Sequence, residues 1–148
     1  MYDKAVNLAR QQTSKITLRA AEIIKAANTK QYKDMELDEL AQRFEPALLM
    51  QLRYLESGNI EEWKQYCTQV IIERTNQGLD YTNIIKAGQL IVETLGEFFK
   101  DNLTQLDTNE NTNPEVTLQS IQRRLNGLSM VATSVATATG IKQSEHKD

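Results

Sequence analysis

The chain is short of nearly every residue that does chemistry. Among its 148 residues there is one histidine, His146, and one cysteine, Cys67. One cysteine excludes an internal disulfide, and a structural zinc site would need further ligands. The histidine stands two residues from the carboxyl terminus, where no neighbouring element positions it as a general base. Its isolation also argues against a haem held by a buried proximal histidine. No glycine-rich phosphate loop occurs. No apolar run approaches the roughly 18 residues of a membrane span. The opening residues, MYDKAVNLAR, lack the apolar core of a signal peptide. A reducing, cytoplasmic location is the expectation. Two prolines and six glycines leave few chain breakers, so the elements should be long.

What is present favours helix. Apolar residues make up 40% and charged residues 25%, enough for a core in one domain and too apolar for a disordered chain. Apolar side chains recur every three or four positions, and no strand alternation persists. The spacing predicts an all-α fold of five or six helices in a compact globin-like or bundle arrangement. Residues 1–140 are expected to form a single helical domain and residues 141–148 a flexible tail.

The first helix is expected over 3–28. A second stretch begins near Met35, and Pro46 should kink or restart it before Ser57-Gly58 ends it. Leu48, Leu49, Leu52 and Leu55 continue its apolar stripe. Asn59 should cap a third helix over 60–77, with Gly78 ending it. Asp80 should cap a fourth over 81–104, the most apolar and most central. Gly88 and Gly96 within it mark either close helix packing or a hinge or ligand approach, and packing is the simpler account. The segment from Asp107 to Asn113 is a loop. Asn113 and Pro114 then start a last helix, with Val116, Ile121, Leu125, Leu128, Val131 and Val135 as its apolar positions, ending at Gly140.

Charge is unevenly spread. Residues 1–33 carry seven basic side chains against two acids, and the remainder carries ten against eighteen. A basic first helix on an acidic body is expected to dock internally or to be solvated. It lacks interleaved aromatics, as does Arg123-Arg124, which argues against nucleic-acid binding. Glu93, Glu97 and Asp101 share a helix face, but a di-metal bundle would also need Glu-x-x-His motifs. A solvated acidic face is the expectation, with no metal and no cofactor. Cys67 reads as a small buried hydrophobe.

The most distinctive segment is 54–81. If its helix is unbroken, Trp63, Tyr66, Val70 and Arg74 share one face. They form either ordinary core, with Arg74 pairing with Glu73 or Asp80 or capping a helix end, or one wall of a pocket or partner surface. Candidate surface residues are therefore Trp63, Tyr66, Arg74 and Tyr81, with Phe98 and Phe99 joining them in an apolar-pocket version.

The order of Ser57, Gly58, Trp63, Arg74, Gly78 and Tyr81, followed by the apolar helix Ile84 to Phe99, resembles bacterial non-haem globin-like sensory domains. Domains of this type form the amino-terminal part of stressosome regulators. The likeness spans residues 37–135 in element order and is specific over 54–81. It implies a homodimer built on long helices that passes a signal onward. No output domain is expected beyond residue 148, so a separate protein partner is the expected recipient of the signal. The function expected is a non-enzymatic regulatory or sensory module acting through protein–protein interaction. The alternative is a binding protein with an apolar pocket for a small lipid-like or aromatic ligand.

Overall fold

The computed structural model describes residues 2–27, 32–106 and 113–145, with the backbone alone at 140 and 143–145. The fold is all-α. Among the described residues six α-helices run in chain order: α1 (Asp3–Gln11), α2 (Thr13–Ala26), α3 (Leu37–Ser57), α4 (Ile60–Asn76), α5 (Tyr81–Asp101) and α6 (Pro114–Glu145). A short 3-10 helix, Leu103–Gln105, follows α5. None of the helices described is long and apolar enough to cross a membrane.

The expected first helix is two. Gln12 leaves helical geometry at φ −114° and ψ 22°. Its N–H bonds back to the Ala9 carbonyl, and the Thr13 hydroxyl donates to the Arg10 carbonyl at 2.9 Å. These local bonds compete with the helical ladder, as hydroxyl side chains do near helix ends. The bend lets Ala5, Val6 and Ala9 of α1 and Ile16, Ala20, Ala21 and Ile24 of α2 all reach the core. The basic segment docks internally at one point, where Arg10 pairs with Glu56 near the end of α3 at 2.8 Å.

Pro46 does not break α3, contrary to expectation. It removes one backbone donor, to the carbonyl of Gln42. Gln42 and Pro46 are both exposed, so that carbonyl faces solvent. The apolar stripe of α3 buries Leu40, Phe44, Leu48, Leu52 and Leu55. Leu49 falls off it and is exposed.

The three expected caps are made. Asn59 accepts from the Glu62 N–H at 3.3 Å, and Asn113 accepts from the Glu115 N–H at 3.0 Å. Asp80 accepts from the Thr82 hydroxyl at 2.7 Å and the Thr82 N–H at 2.9 Å. That pair of bonds, hydroxyl first, holds the Asp80 carboxyl below its ordinary range. Gly58 and Gly78 terminate α3 and α4 at φ 68° and 90°, in the left-handed region.

Helix α5 packs against all five other helices, and so does α3, so the two share the central position expected of α5 alone. Its buried side chains are Ala87, Ile91, Val92, Thr94, Leu95, Phe98 and Phe99. It ends at Asp101, slightly short of the expected 104, where Asn102 turns its amide back onto the Phe98 carbonyl. Helix α6 packs on α4 and α5 through Ile121, Leu125, Leu128 and Ala136. Val116, expected on that buried face, is exposed. The helix runs through Gly140 to Glu145, so it does not end at Gly140, and residues 141–145 of the expected tail are helical. Most of the Asp107–Asn113 loop, His146 and the last two residues lie outside the described residues.

Two glycine substitutions should move stability in opposite directions. Gly78→Ala forces a Cβ into the left-handed region and should cost about 1–2 kcal/mol. Gly88, inside α5, has nothing within 4 Å of where a Cβ would sit. Gly88→Ala should therefore gain up to about 1 kcal/mol of helix propensity. Urea denaturation of both variants checks the pair.

Candidate functional site

A cavity of about 110 Å³ opens where α3, α4, α5 and α6 meet. Its walls follow from helical spacing. Helix α3 contributes Arg43, Phe44, Ala47 and Gln51, which recur at three- and four-residue steps. Helix α4 contributes Trp63, Tyr66, Cys67, Val70, Ile71 and Arg74, the shared face that an unbroken helix requires. Gly88 and Ile91 face it from α5, and Ala132, Thr133 and Ala136 from α6.

The aromatic wall is held in place. The Trp63 indole N–H donates to the Leu128 carbonyl on α6 at 3.1 Å, in a buried setting. Trp63 stacks with Tyr66 at 5.7 Å between ring centroids and 28° between planes. A buried indole N–H needs such a partner. Here the partner also braces α4 against α6.

One side chain in the wall is unsatisfied. Gln51 is 0% exposed, and neither its Oε1 nor its Nε2 has a hydrogen-bond partner among the described residues. An orphaned buried amide costs about 1–3 kcal/mol, so natural cores rarely keep one.

Two guanidinium groups border the same cavity. Among the described residues Arg43 donates to the Met35 sulfur, at 3.8 Å, and Arg74 to the Gln77 side-chain oxygen at 3.4 Å. Neither has a carboxylate within 4 Å among the described residues, so Arg74 does not pair with Glu73 or Asp80. Burial, and then the nearby charge of Arg74, hold the Arg43 guanidinium below its ordinary value.

The structure divides the six candidate residues. Trp63, Tyr66 and Arg74 come together on the cavity wall. Tyr81 is half-buried at the start of α5 and does not line it. Phe99 is fully enclosed in the core. Phe98 instead borders a second cleft of about 330 Å³ between α2 and α5, beside Lys15, Arg19, Glu97 and Asp101. The apolar pocket expected near Trp63, Phe98 and Phe99 is thus centred on Trp63 without the phenylalanines. Axial position explains this: Phe98 and Phe99 lie two turns, about 10–12 Å, beyond Ile91, the last α5 residue to line the cavity. Glu93, Glu97 and Asp101 are exposed, forming the expected solvated acidic face.

Sequence reasoning missed Tyr32, Arg43, Phe44 and Gln51. Gln51 was legible: it interrupts the apolar stripe Phe44, Leu48, Leu52, Leu55 at a position facing inward. Gly88 lines the cavity, so its role is to leave space rather than to admit a neighbouring helix. At Gly96 the nearest neighbour, Leu125 Cδ1, would stand 3.9 Å from a Cβ, an ordinary packing distance.

Cys67 is buried, as expected, and burial pushes its thiol from 9.0 up to about 12. Tyr66 is likewise raised from 10.0 to about 12, by burial first and then by Cys67. Both groups are neutral in the fold, whereas in the unfolded chain they ionise near their ordinary values. Stability should thus fall as pH rises from 9 toward 12, and Cys67→Ala should soften the decline. At pH 8 the folded thiol should react with iodoacetamide roughly a thousandfold more slowly than in the unfolded chain. Equal rates with and without urea would contradict this.

Comparison of the chain with protein-family models, with curated proteins and with solved structures finds no match.

Proposed function

We propose that this protein is a non-enzymatic, cytoplasmic regulatory module whose state is set by a small, mostly apolar ligand in the α3–α4–α5–α6 cavity. The observation that carries this reading is Gln51, a buried amide left unpartnered at a preformed hollow. Small-molecule sites are apolar hollows with a few convergent polar groups. The likeness of residues 54–81 to non-haem globin-like sensory domains supports the same reading, because that segment supplies the α4 wall.

The test uses the single tryptophan as reporter. Toluene, phenol and related one-ring compounds should change Trp63 fluorescence and raise the melting temperature. Gln51→Leu should stabilise the ligand-free protein by about 1–3 kcal/mol, since it removes the orphaned amide. The same variant should weaken binding of hydroxylated rings. A full panel with no change in fluorescence or melting temperature would remove the ligand reading.

A second feature supports action through protein contacts. Val116, Met130 and Ile141 on α6 are 56%, 73% and 46% exposed. Their spacings of 14 and 11 residues bring them to one outer face of the helix. We propose that this face forms a homodimer, the assembly that signals to a separate partner. Light scattering should give twice the chain mass at micromolar concentration. Met130→Asp should give a folded monomer, and a wild-type monomer at high micromolar concentration would end this part.

A further inference from the structure

The cavity has two chemically different ends. Helices α3 and α4 form an antiparallel hairpin, joined through Gly58 and Asn59 alone. Arg43, early in α3, therefore lies at the same end as Arg74, late in α4. Gln51, eight residues or about 12 Å further along α3, lies at the other end with Trp63 from the start of α4. Between the ends run the aromatic and aliphatic faces of Phe44, Tyr66 and Ile91.

At the first end two half-buried cations face one cavity, and among the described residues no carboxylate lies within 4 Å of either, although Glu39 partly offsets the charge of Arg43 from further off. Like charges so placed repel, and an anion between them would relieve that repulsion. Paired guanidiniums suit a planar carboxylate, which they grip with charge-assisted hydrogen bonds. At the second end Gln51 offers one donor group and one acceptor, both idle. The volume limits the body of the ligand. A closed cavity of about 150 Å³ holds benzene, so one of about 110 Å³ takes no body larger than a single ring, and takes that ring only because it is partly open.

We propose that the ligand is a one-ring aromatic monocarboxylate carrying a hydrogen-bonding substituent opposite the acid. Its carboxylate sits between Arg43 and Arg74, its ring lies against Phe44 and Tyr66, and its substituent meets the Gln51 amide. This assignment rests on the cavity being a binding site at all, and the two can fail separately.

Calorimetric titration with 4-hydroxybenzoate, benzoate, 4-hydroxybenzyl alcohol and phenol separates them. For the wild-type protein 4-hydroxybenzoate should bind at least roughly tenfold more tightly than its neutral alcohol counterpart, the gain expected of a charge-assisted contact. The double variant Arg43→Gln/Arg74→Gln should abolish that difference and leave binding of the alcohol unchanged. Gln51→Leu should abolish the preference for 4-hydroxybenzoate over benzoate while keeping benzoate binding. Circular dichroism and urea denaturation establish that each variant is folded. If the alcohol and phenol bind the wild type as tightly as the acid, the carboxylate assignment is wrong and the cavity reading stands. An unchanged acid affinity in the double variant has the same consequence. Binding by none of the four compounds overturns both.

Discussion

Where α3, α4, α5 and α6 converge, many of the inward-facing side chains are too short to meet: Ala47, Ala87, Gly88, Ala132 and Ala136. Interiors otherwise pack as densely as organic crystals. The six helices share a continuous core of aliphatic and aromatic side chains elsewhere, so the shortage is local. It falls where a glycine of α5 faces alanines on the adjoining helices. A gap there forfeits dispersion contacts on every wall. The remainder of the fold has to hold the walls apart against collapse.

Two lateral ties do that. The Trp63 indole bond to the Leu128 carbonyl joins α4 to α6 beside the aromatic end of the cavity. The Gln89 amide donates to the Thr133 hydroxyl at 3.0 Å and joins α5 to α6 on another side. Below the cavity Ile121, Leu125 and Leu128 pack α6 onto the core. At the amino-terminal end, Tyr2 is buried with its hydroxyl on Ser120, and the Arg124 guanidinium lies over its ring at 5.0 Å. The small residues in the second half of α6, which weaken an isolated helix, are thus supported by a firmly packed first half.

The sequence is most legible where one local rule decides the outcome. Asn59, Asp80 and Asn113 cap because a short polar side chain precedes an apolar-periodic run, and the structure makes each bond. Gly58 and Gly78 end helices for an equally local reason. The failures arise where local rules meet tertiary context. Pro46 should disrupt a helix, yet its lost bond falls on solvent, and the buried stripe on both sides of it keeps α3 whole. The periodicity of residues 3–28 conceals the break at Gln12, because both halves face the same core. Within the site, the α4 wall of Trp63, Tyr66 and Arg74 follows from spacing alone. The opposite wall does not, because nothing in the sequence says that Arg43 and Gln51 of α3 lie across from it.

Gln51 and the arginine pair violate packing rules in different ways and at opposite ends of one hollow. The first is a polar group deprived of partners in a place where leucine would fit the stripe. The second is a pair of like charges held half-buried without an ion-pair partner within 4 Å among the described residues, Glu39 acting on Arg43 only from a distance. Either alone could be a tolerated imperfection of a stable helical core. Together with a glycine that gives up helix propensity in α5, they make three separate sacrifices of stability that border one space of about 110 Å³. Sequences whose local choices otherwise agree with their fold depart from that agreement mainly at functional sites. Most of the rest of this chain is consistent: its stripes are buried, its caps are formed and its acidic face is solvated. The convergence of the exceptions is therefore a stronger pointer to function than any one of these residues taken singly.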